Sequence, residues 1–184
     1  MTREEYLALQ RATDEKLWLW DGEVFAPQAA SIDHERIVAN VVRGLGNVLG
    51  DGPCEALPSA VRVRLPGADR YVFPDALVAC RPIELEDDRA DTLLNPSVVF
   101  EVLSASTEAF DRGDKAAGYR SVGSLRAYVL VSQTRRRVEV FVRSDGDTWT
   151  FRAIGPEGVL VLDVAGSTVA LPLDEIYRRV DVGA

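Results

Sequence analysis

Ser97-Val98-Val99-Phe100-Glu101-Val102-Leu103-Ser104 reads as a β-strand buried on both faces, because it is a short continuous apolar run bounded by polar residues. One residue breaks the run. A buried carboxylate left without a counter-charge costs on the order of 3–5 kcal/mol, so Glu101 is expected to face a metal, a cation or a wet cleft. A second apolar run, Tyr71-Val72-Phe73-Pro74-Asp75-Ala76-Leu77-Val78-Ala79-Cys80, is also interrupted by one acid, immediately after a proline. Asp75 and Glu101 on neighbouring strands make a divalent-metal site the first hypothesis.

Downstream of the Glu101 strand the chain continues Ser104-Ala105-Ser106-Thr107-Glu108-Ala109-Phe110-Asp111-Arg112-Gly113-Asp114-Lys115-Ala116-Ala117-Gly118-Tyr119. A helix is predicted from Ser106 or Thr107 to about Ser121. Thr107, Asp111, Lys115 and Tyr119 recur every fourth position, so they share one helical face that can point back toward the strand end. This brings a lysine toward two carboxylates. Two acids holding a hard cation such as Mg²⁺ or Mn²⁺ position water and polarise a phosphoryl oxygen, while an ammonium orients the nucleophile or offsets developing charge. That is the equipment of phosphodiester hydrolysis. Each part has an ordinary reading too: Asp75 in a turn after proline, Glu101 in a structural ion pair, Asp111 and Lys115 as a surface pair at i and i+4.

The rest of the chain supplies the frame. Thr2 is placed to cap a helix reaching about Gln10, with Glu4 and Glu5 in its first turn. Lys16 to Trp20 and Glu23 to Ala26 form a hairpin around Asp21-Gly22. Ile37, Val38, Val41, Val42, Leu45, Val48 and Leu49 repeat at helical spacing, so a core helix runs from Ser31 or Asp33 to about Leu49. Strands follow at Cys54 to Leu57, Val61 to Leu65 and Val72 to Cys80, with a turn at Pro66-Gly67-Ala68-Asp69. Arg81 to Pro96 is polar, acidic and bracketed by prolines, a surface connection of the kind that borders active sites. Further strands are predicted at Leu125 to Val131, Arg137 to Arg143 and Thr148 to Ala153, with weaker ones at Val159 to Leu162 and Thr168 to Leu171. A short helix over Leu173 or Asp174 to Arg179 ends the chain.

Composition sets bounds. The chain has 184 residues, 47% hydrophobic and 27% charged, with a formal net charge of −8, which fits one globular domain over residues 1–184 and opposes nucleic-acid binding by bulk electrostatics. Local basic grooves remain open at Arg62 and Arg64 and at Arg135, Arg136 and Arg137, although such runs usually form solvated faces. Cys54 and Cys80 lack metal or redox spacing, so neither a disulfide framework nor a cysteine-ligated zinc site is expected. No apolar stretch approaches membrane-spanning length. A soluble cytoplasmic protein without a membrane partner is therefore expected.

Taken together, Pro74-Asp75, Glu101-Val102-Leu103-Ser104 with Ser106-Thr107, the downstream Asp111, Lys115 and Tyr119, and the early Asp21-Gly22-Glu23 and His34 resemble the Uma-two family, whose members are classed as restriction endonucleases of the PD-(D/E)XK nuclease superfamily. The resemblance covers roughly Tyr6 to Tyr177. It implies a restriction-endonuclease-like α/β (α+β) fold, a mixed β-sheet flanked by helices with additional antiparallel strands. It also implies DNA as substrate and Asp75 and Glu101 as ligands of Mg²⁺ or Mn²⁺, with the backbone carbonyl of Val102 a further candidate ligand. One departure matters: the superfamily lysine sits two residues after the acid on the same strand face, and here that position is Leu103. Lys115, reaching in from the helix, is the candidate replacement as a catalytic residue.

Glu23 is a candidate third acid. His34, the only histidine, lies in the first turn of a core helix, where capping or support of a ligand is favoured over direct ligation. Trp18, Trp20 and Trp149 are candidate base-stacking platforms, with sheet packing the more ordinary role. The leading expectation is a metal-dependent DNA endonuclease. Its rival is a catalytically inactive binding or regulatory module on the nuclease fold. A homodimer is also plausible, either to cut both strands of a duplex or through strand pairing by Val138–Val142 or Thr148–Ala153 across a subunit interface.

Overall fold

The structure is a computed structural model that describes residues 1–27, 29–67 and 69–182. Helix α1 (Arg3–Arg11) opens with a capping box: Thr2 Oγ1 accepts the Glu5 N–H, and the Glu5 carboxylate accepts the Thr2 N–H at 2.8 Å. Strands β1 (Trp18–Trp20) and β2 (Glu23–Phe25) form the expected hairpin. Its tight turn puts Asp21 and Gly22 at φ 50° and 86°, the left-handed geometry that Asp-Gly tolerates. Helix α2 (Ile32–Leu49) starts at Ser31, whose hydroxyl accepts the His34 N–H.

Strands β3 (Cys54–Pro58), β4 (Arg62–Leu65), β5 (Arg70–Val72) and β6 (Ala76–Cys80) follow. The run predicted as one strand from Val72 to Cys80 is two. Its first part, β5, pairs with β1 and β4, and its second, β6, pairs with β3 and β8. The switch occurs over Phe73-Pro74-Asp75, where proline has no N–H to offer a ladder. Of the turn expected at Pro66 to Asp69, Ala68 lies outside the described residues, and Gly67 has φ 87°.

After β7 (Thr92–Leu93) comes the long strand β8 (Pro96–Leu103), then short helices α3 (Glu108–Arg112) and α4 (Asp114–Arg120). The single predicted helix is therefore interrupted at Gly113, whose φ of −100° and ψ of −106° lie outside helical geometry. Strands β9 (Ala127–Ser132), β10 (Val138–Arg143) and β11 (Trp149–Ile154) continue the main sheet, a hairpin of β12 (Val159–Val164) and β13 (Ser167–Pro172) follows, and α5 (Leu173–Ile176) is the last element.

One sheet has the order β2-β1-β5-β4-β7, a second β11-β10-β9-β8-β6-β3, and β12-β13 stands apart. Both large sheets are mixed, because β8 pairs parallel with β9 and β4 parallel with β7 while the other pairings are antiparallel. The α3–α4 segment is the crossover that a parallel pair requires. Val98, Phe100 and Val102 on one face of β8 pack against Ile37, Val41 and Leu45 of α2 and against the hairpin. On the opposite face, Val99 and Leu103 pack with Val63, Leu65 and Tyr119 from β4 and α4. Strand alternation thus puts Glu101 between the two sheets, on the face it shares with Leu103.

Several surface expectations change. Cys54 and Cys80 are cross-strand partners in β3 and β6 and form a disulfide, against expectation, because strand register rather than sequence spacing brought them together. The Arg81–Pro96 surface connection is anchored by ion pairs: Glu86 holds Arg3 and Arg64, and Asp91 holds Arg11 and Arg62. Arg62 and Arg64 therefore form structural ion pairs rather than a solvated face, and Arg62 is buried. Strand β10 is paired on both sides within the chain, so Val138–Val142 has no free edge for a subunit contact, while β11 ends the sheet. Among the described residues no helix is long and apolar enough to cross a membrane.

Candidate active site

The chain delivers four charged side chains to one point from three directions. Asp75 sits at the joint between sheets, just before the Ala76↔Phe100 pairing that sets it beside Glu101 on β8. Asp111 and Lys115 come from α3 and α4. The Gly113 interruption leaves their i, i+4 contact intact: Lys115 Nζ donates to Asp111 Oδ1 at 3.0 Å and meets Glu101 Oε2 at 2.9 Å. The three side chains retain only 1–3% exposure. Asp75 is more open, and its Oδ2 accepts the Val102 N–H at 2.7 Å.

Around this group lies a supporting layer. His34 Nε2 is 3.3 Å from the same Asp75 oxygen, so the histidine supports Asp75. Burial opposes its protonation, but the Asp75 carboxylate outweighs this and raises its pKa. Lys115 Nζ also lies 4.4 Å from the centre of the Trp18 ring, a cation–π contact. Trp18 in turn stacks on Phe110, with Trp20 against that ring edge-on. The tryptophans of the first hairpin thus pack around Phe110, and Trp18 carries a charge on its face. Helix α4 approaches closely at Gly118, where a Cβ would come within 2.8 Å of Leu65 Cδ1 and 3.0 Å of Trp20 Cη2.

The electrostatics are unbalanced. Asp75, Glu101 and Asp111 face one ammonium. Burial pushes Glu101 well above the usual carboxylate range, opposed by Lys115 and reinforced by the charges of Asp111 and Asp75. Burial alone would lower Lys115, but the surrounding carboxylates reverse this and hold it as an ammonium. Tyr119 and Tyr128 are driven well above 10 by burial and then by the Glu101 charge, so both are neutral phenols. Tyr128 donates to the Asp111 carbonyl oxygen at 2.9 Å. Among the described residues Glu101 Oε1 and the Tyr119 hydroxyl are buried without a hydrogen bond of ordinary geometry, although Glu101 is near enough to raise the Tyr119 hydroxyl further.

A cleft of about 770 Å³ opens over this group, lined among others by Trp18, His34, Asp75, Glu101, Asp111 and Lys115. The expected residues thus converge, with exceptions. Glu23 is exposed on β2 and does not line the cleft; the hairpin turns it outward, and its neighbour Asp21 pairs with Arg70. The Arg81–Pro96 connection does not border the cleft either. Among the described residues no group of three or more His, Cys, Asp or Glu side chains is arranged to hold a metal ion, because Lys115 stands between Glu101 and Asp111. The donor set for a hard cation is consequently small: Asp75, Glu101 and a backbone carbonyl such as that of Val102. An orphaned, buried Glu101 oxygen and an excess of carboxylates fit such an ion.

Sequence reasoning quoted Ser104 only as part of a motif, without a role, and did not single out Glu139. Ser104, at the end of β8, receives the Thr107 N–H and bonds the Thr107 hydroxyl, setting the start of the α3 turn. Glu139 on β10 accepts Arg137 Nε at 2.8 Å and also holds Arg112. The alternation of Val138-Glu139-Val140 was the available signal, an acid in an otherwise apolar strand.

The chain resembles several proteins along nearly its full length. It is 32% identical over 178 residues to "Uncharacterized protein slr1290" of Synechocystis sp., covering 97% of this chain and 92% of that one. A second Synechocystis protein, "Uncharacterized protein sll1609", is 31% identical over 149 residues, covering 81% and 84%. In three dimensions the fold matches the crystal structure of a "putative nuclease belonging to DUF820" from Anabaena variabilis, with a TM-score of 0.76 at 16% identity over 96% of this chain and 97% of that one. Family models add the decisive match, over residues 3–173, to Uma2, described as "Putative restriction endonuclease", and this chain belongs to that family.

Proposed function

We propose that this protein is a metal-dependent DNA endonuclease that hydrolyses phosphodiester bonds at the Asp75–Glu101–Lys115 group. The observation that carries the reading is the charge imbalance. Two carboxylates, Glu101 and Asp111, hold one buried ammonium while the charge of a third, Asp75, acts on both Lys115 and Glu101, an arrangement that folding alone does not favour.

Asp75, Glu101 and the Val102 carbonyl would hold Mg²⁺ or Mn²⁺, which supplies Lewis acidity toward a phosphoryl oxygen and a lowered water pKa. The chain's own residues do the rest. Lys115, fixed by Asp111 and by the Trp18 face, offers N–H donors to the attacking water or to charge building on the phosphoryl oxygens. It acts as an ammonium and not as a base, because the carboxylates hold its proton. His34 and the Val102 N–H keep Asp75 oriented toward the cleft. Water adds to phosphorus and gives up a proton to solvent, the P–O ester bond breaks, and the leaving oxygen takes up a proton from solvent. Leu103 is no obstacle, since the amine missing from its position is supplied from α4 within 2.9 Å of Glu101.

The test is cleavage of supercoiled and single-stranded DNA with Mg²⁺ or Mn²⁺. Glu101→Gln is expected to lower the rate by about 10²–10³-fold or more while its unfolding midpoint stays at or above wild type. Undiminished cleavage by that variant rejects the assignment. A wild type that binds DNA without turnover under either metal favours the second reading, a nuclease-fold binding module, to which the direct Lys115–Glu101 ion pair lends support.

A further inference from the structure

A second, smaller cleft of about 270 Å³ adjoins the first, and the two share Ser104 and Ala105 in their walls. Gln133 lines the first and Thr134 the second, so the two are also neighbours along the turn after β9. Their chemistry is opposite. The larger cleft is lined by Glu15, Glu35, Asp75, Glu101 and Asp111 against Lys16 and Lys115. The smaller is lined by Arg112, Arg135 and Arg137 against Glu108 and Glu139, with hydroxyls from Ser104, Ser132 and Thr134.

The arginines are set out in advance. Glu139, only 7% exposed, takes Arg137 through Nε and Arg112 through Nη1, which leaves both Nη groups of Arg137 and the Nη2 of Arg112 without a bond among the described residues. Arg135 makes no ion pair or side-chain hydrogen bond among the described residues and is exposed. A planar guanidinium with free forked donors suits a phosphate. The acid-rich cleft alone repels a polyanion, and a protein of net charge −8 gains no help from its overall field.

We infer that the Arg112–Arg135–Arg137 cleft is the anchoring site for the DNA backbone, binding phosphates that flank the one placed at Glu101. Glu101 to Ser104 is three residues of extended chain, roughly 10 Å, a span that reaches the phosphates next along the strand from the one at Glu101. The strand therefore runs from the acid group across Ser104 and Ala105 into the basic cleft. Contacts to phosphate fix position and carry no sequence information, so this site sets affinity and register and leaves the bond-breaking step to the neighbouring cleft. Arg112, Arg135 and Arg137 are positioning residues. The inference rests on the nuclease reading.

The experiment is fluorescence-anisotropy binding of a labelled DNA duplex across a salt series, with Ca²⁺ in place of the catalytic metal. It compares wild type with Arg135→Ala, Arg135→Glu and Arg152→Ala, the last a control on β11, where Arg152 is opposite Val140 and so on the sheet face turned away from Glu139. Arg135→Ala is expected to weaken binding about five- to tenfold at low salt and to reduce the salt slope by about one. Arg135→Glu should weaken it further, and the control should match wild type. In cleavage assays the Arg135 variants raise KM and leave kcat nearly unchanged. A wild type that binds and cuts DNA while both Arg135 variants match it overturns this anchoring site and leaves the nuclease standing. A wild type that binds no DNA at any salt overturns both.

Discussion

Two clusters of charge lie under the surface of this molecule, and they are built on opposite principles. Beneath α1, Arg3, Arg11, Arg62 and Arg64 meet Glu86, Asp87 and Asp91, with contacts of 2.6–3.3 Å. Cations outnumber anions there by one, and the group ties the Arg81–Pro96 connection to the sheet and the first helix. At the cleft the ratio is inverted, with three carboxylates around one lysine. The first cluster is closed by the protein's own charges and does structural work. The second is left open, and the difference shows where an outside cation or an electrophile is accommodated.

The sharpest way to break this contrast is Lys115→Met. Removing the only ammonium leaves Glu101 and Asp111 buried without their counter-charge, and the expected cost is about 3–5 kcal/mol at neutral pH, read from urea unfolding. Added Mn²⁺ should restore part of the midpoint. If Mn²⁺ has no effect on that variant, the acids do not form a cation site.

In the structural cluster, Arg62→Met is expected to cost somewhat less, about 2–3 kcal/mol, because Asp91 keeps Arg11 and is partly exposed. Mn²⁺ should give no rescue there, and cleavage by the surviving folded protein should keep the wild-type kcat. A metal-dependent recovery of Arg62→Met would erase the distinction between the two clusters.

The smallest effect is a dependence on pH. Hydrogen bonding from Arg11 holds Asp91 well below its usual value of 3.8, with burial opposing and Thr92 and Arg62 assisting. A carboxylate depressed in the folded state stabilises it above the unfolded pKa, and this contribution fades as pH falls through 3.8 toward the folded value. Solvent screening at Asp91 limits it to about 1 kcal/mol. Asp91→Asn should flatten this part of the acid-unfolding curve measured between pH 5 and pH 2, and an unchanged curve would remove Asp91 from the account.

The cleft cluster was more legible in the sequence than the structural one. Glu101 announced itself as an acid inside an apolar run, and Asp111 and Lys115 by helical spacing that survives a break at Gly113. Local periodicity carries such signals. Arg11 and Asp91, by contrast, are separated by 80 residues, and nothing local distinguishes either from a solvated surface residue. The same limit explains the Cys54–Cys80 bond, which depends on register between β3 and β6, and the outward course of Glu23. The split of the Val72–Cys80 run at Pro74 was readable in principle, since proline is poorly suited to a central strand, but continuous hydrophobicity masked it.

Gly118 gives the cleft a dimensional tolerance. The clearance between α4 and the sheet is set at this position by Leu65 and Trp20, which would meet even a methyl group, and Lys115 lies one turn away on the same short helix. A side chain at 118 presses on the ends of Leu65 and Trp20 and acts as a shim wherever these do not yield, lifting the helix and carrying the ammonium away from Glu101, although it would touch neither DNA nor the acids. The placement of a charge is in this way governed by a residue that has none, and drift in the packing of Leu65 or Trp20 is transmitted to the chemistry as displacement.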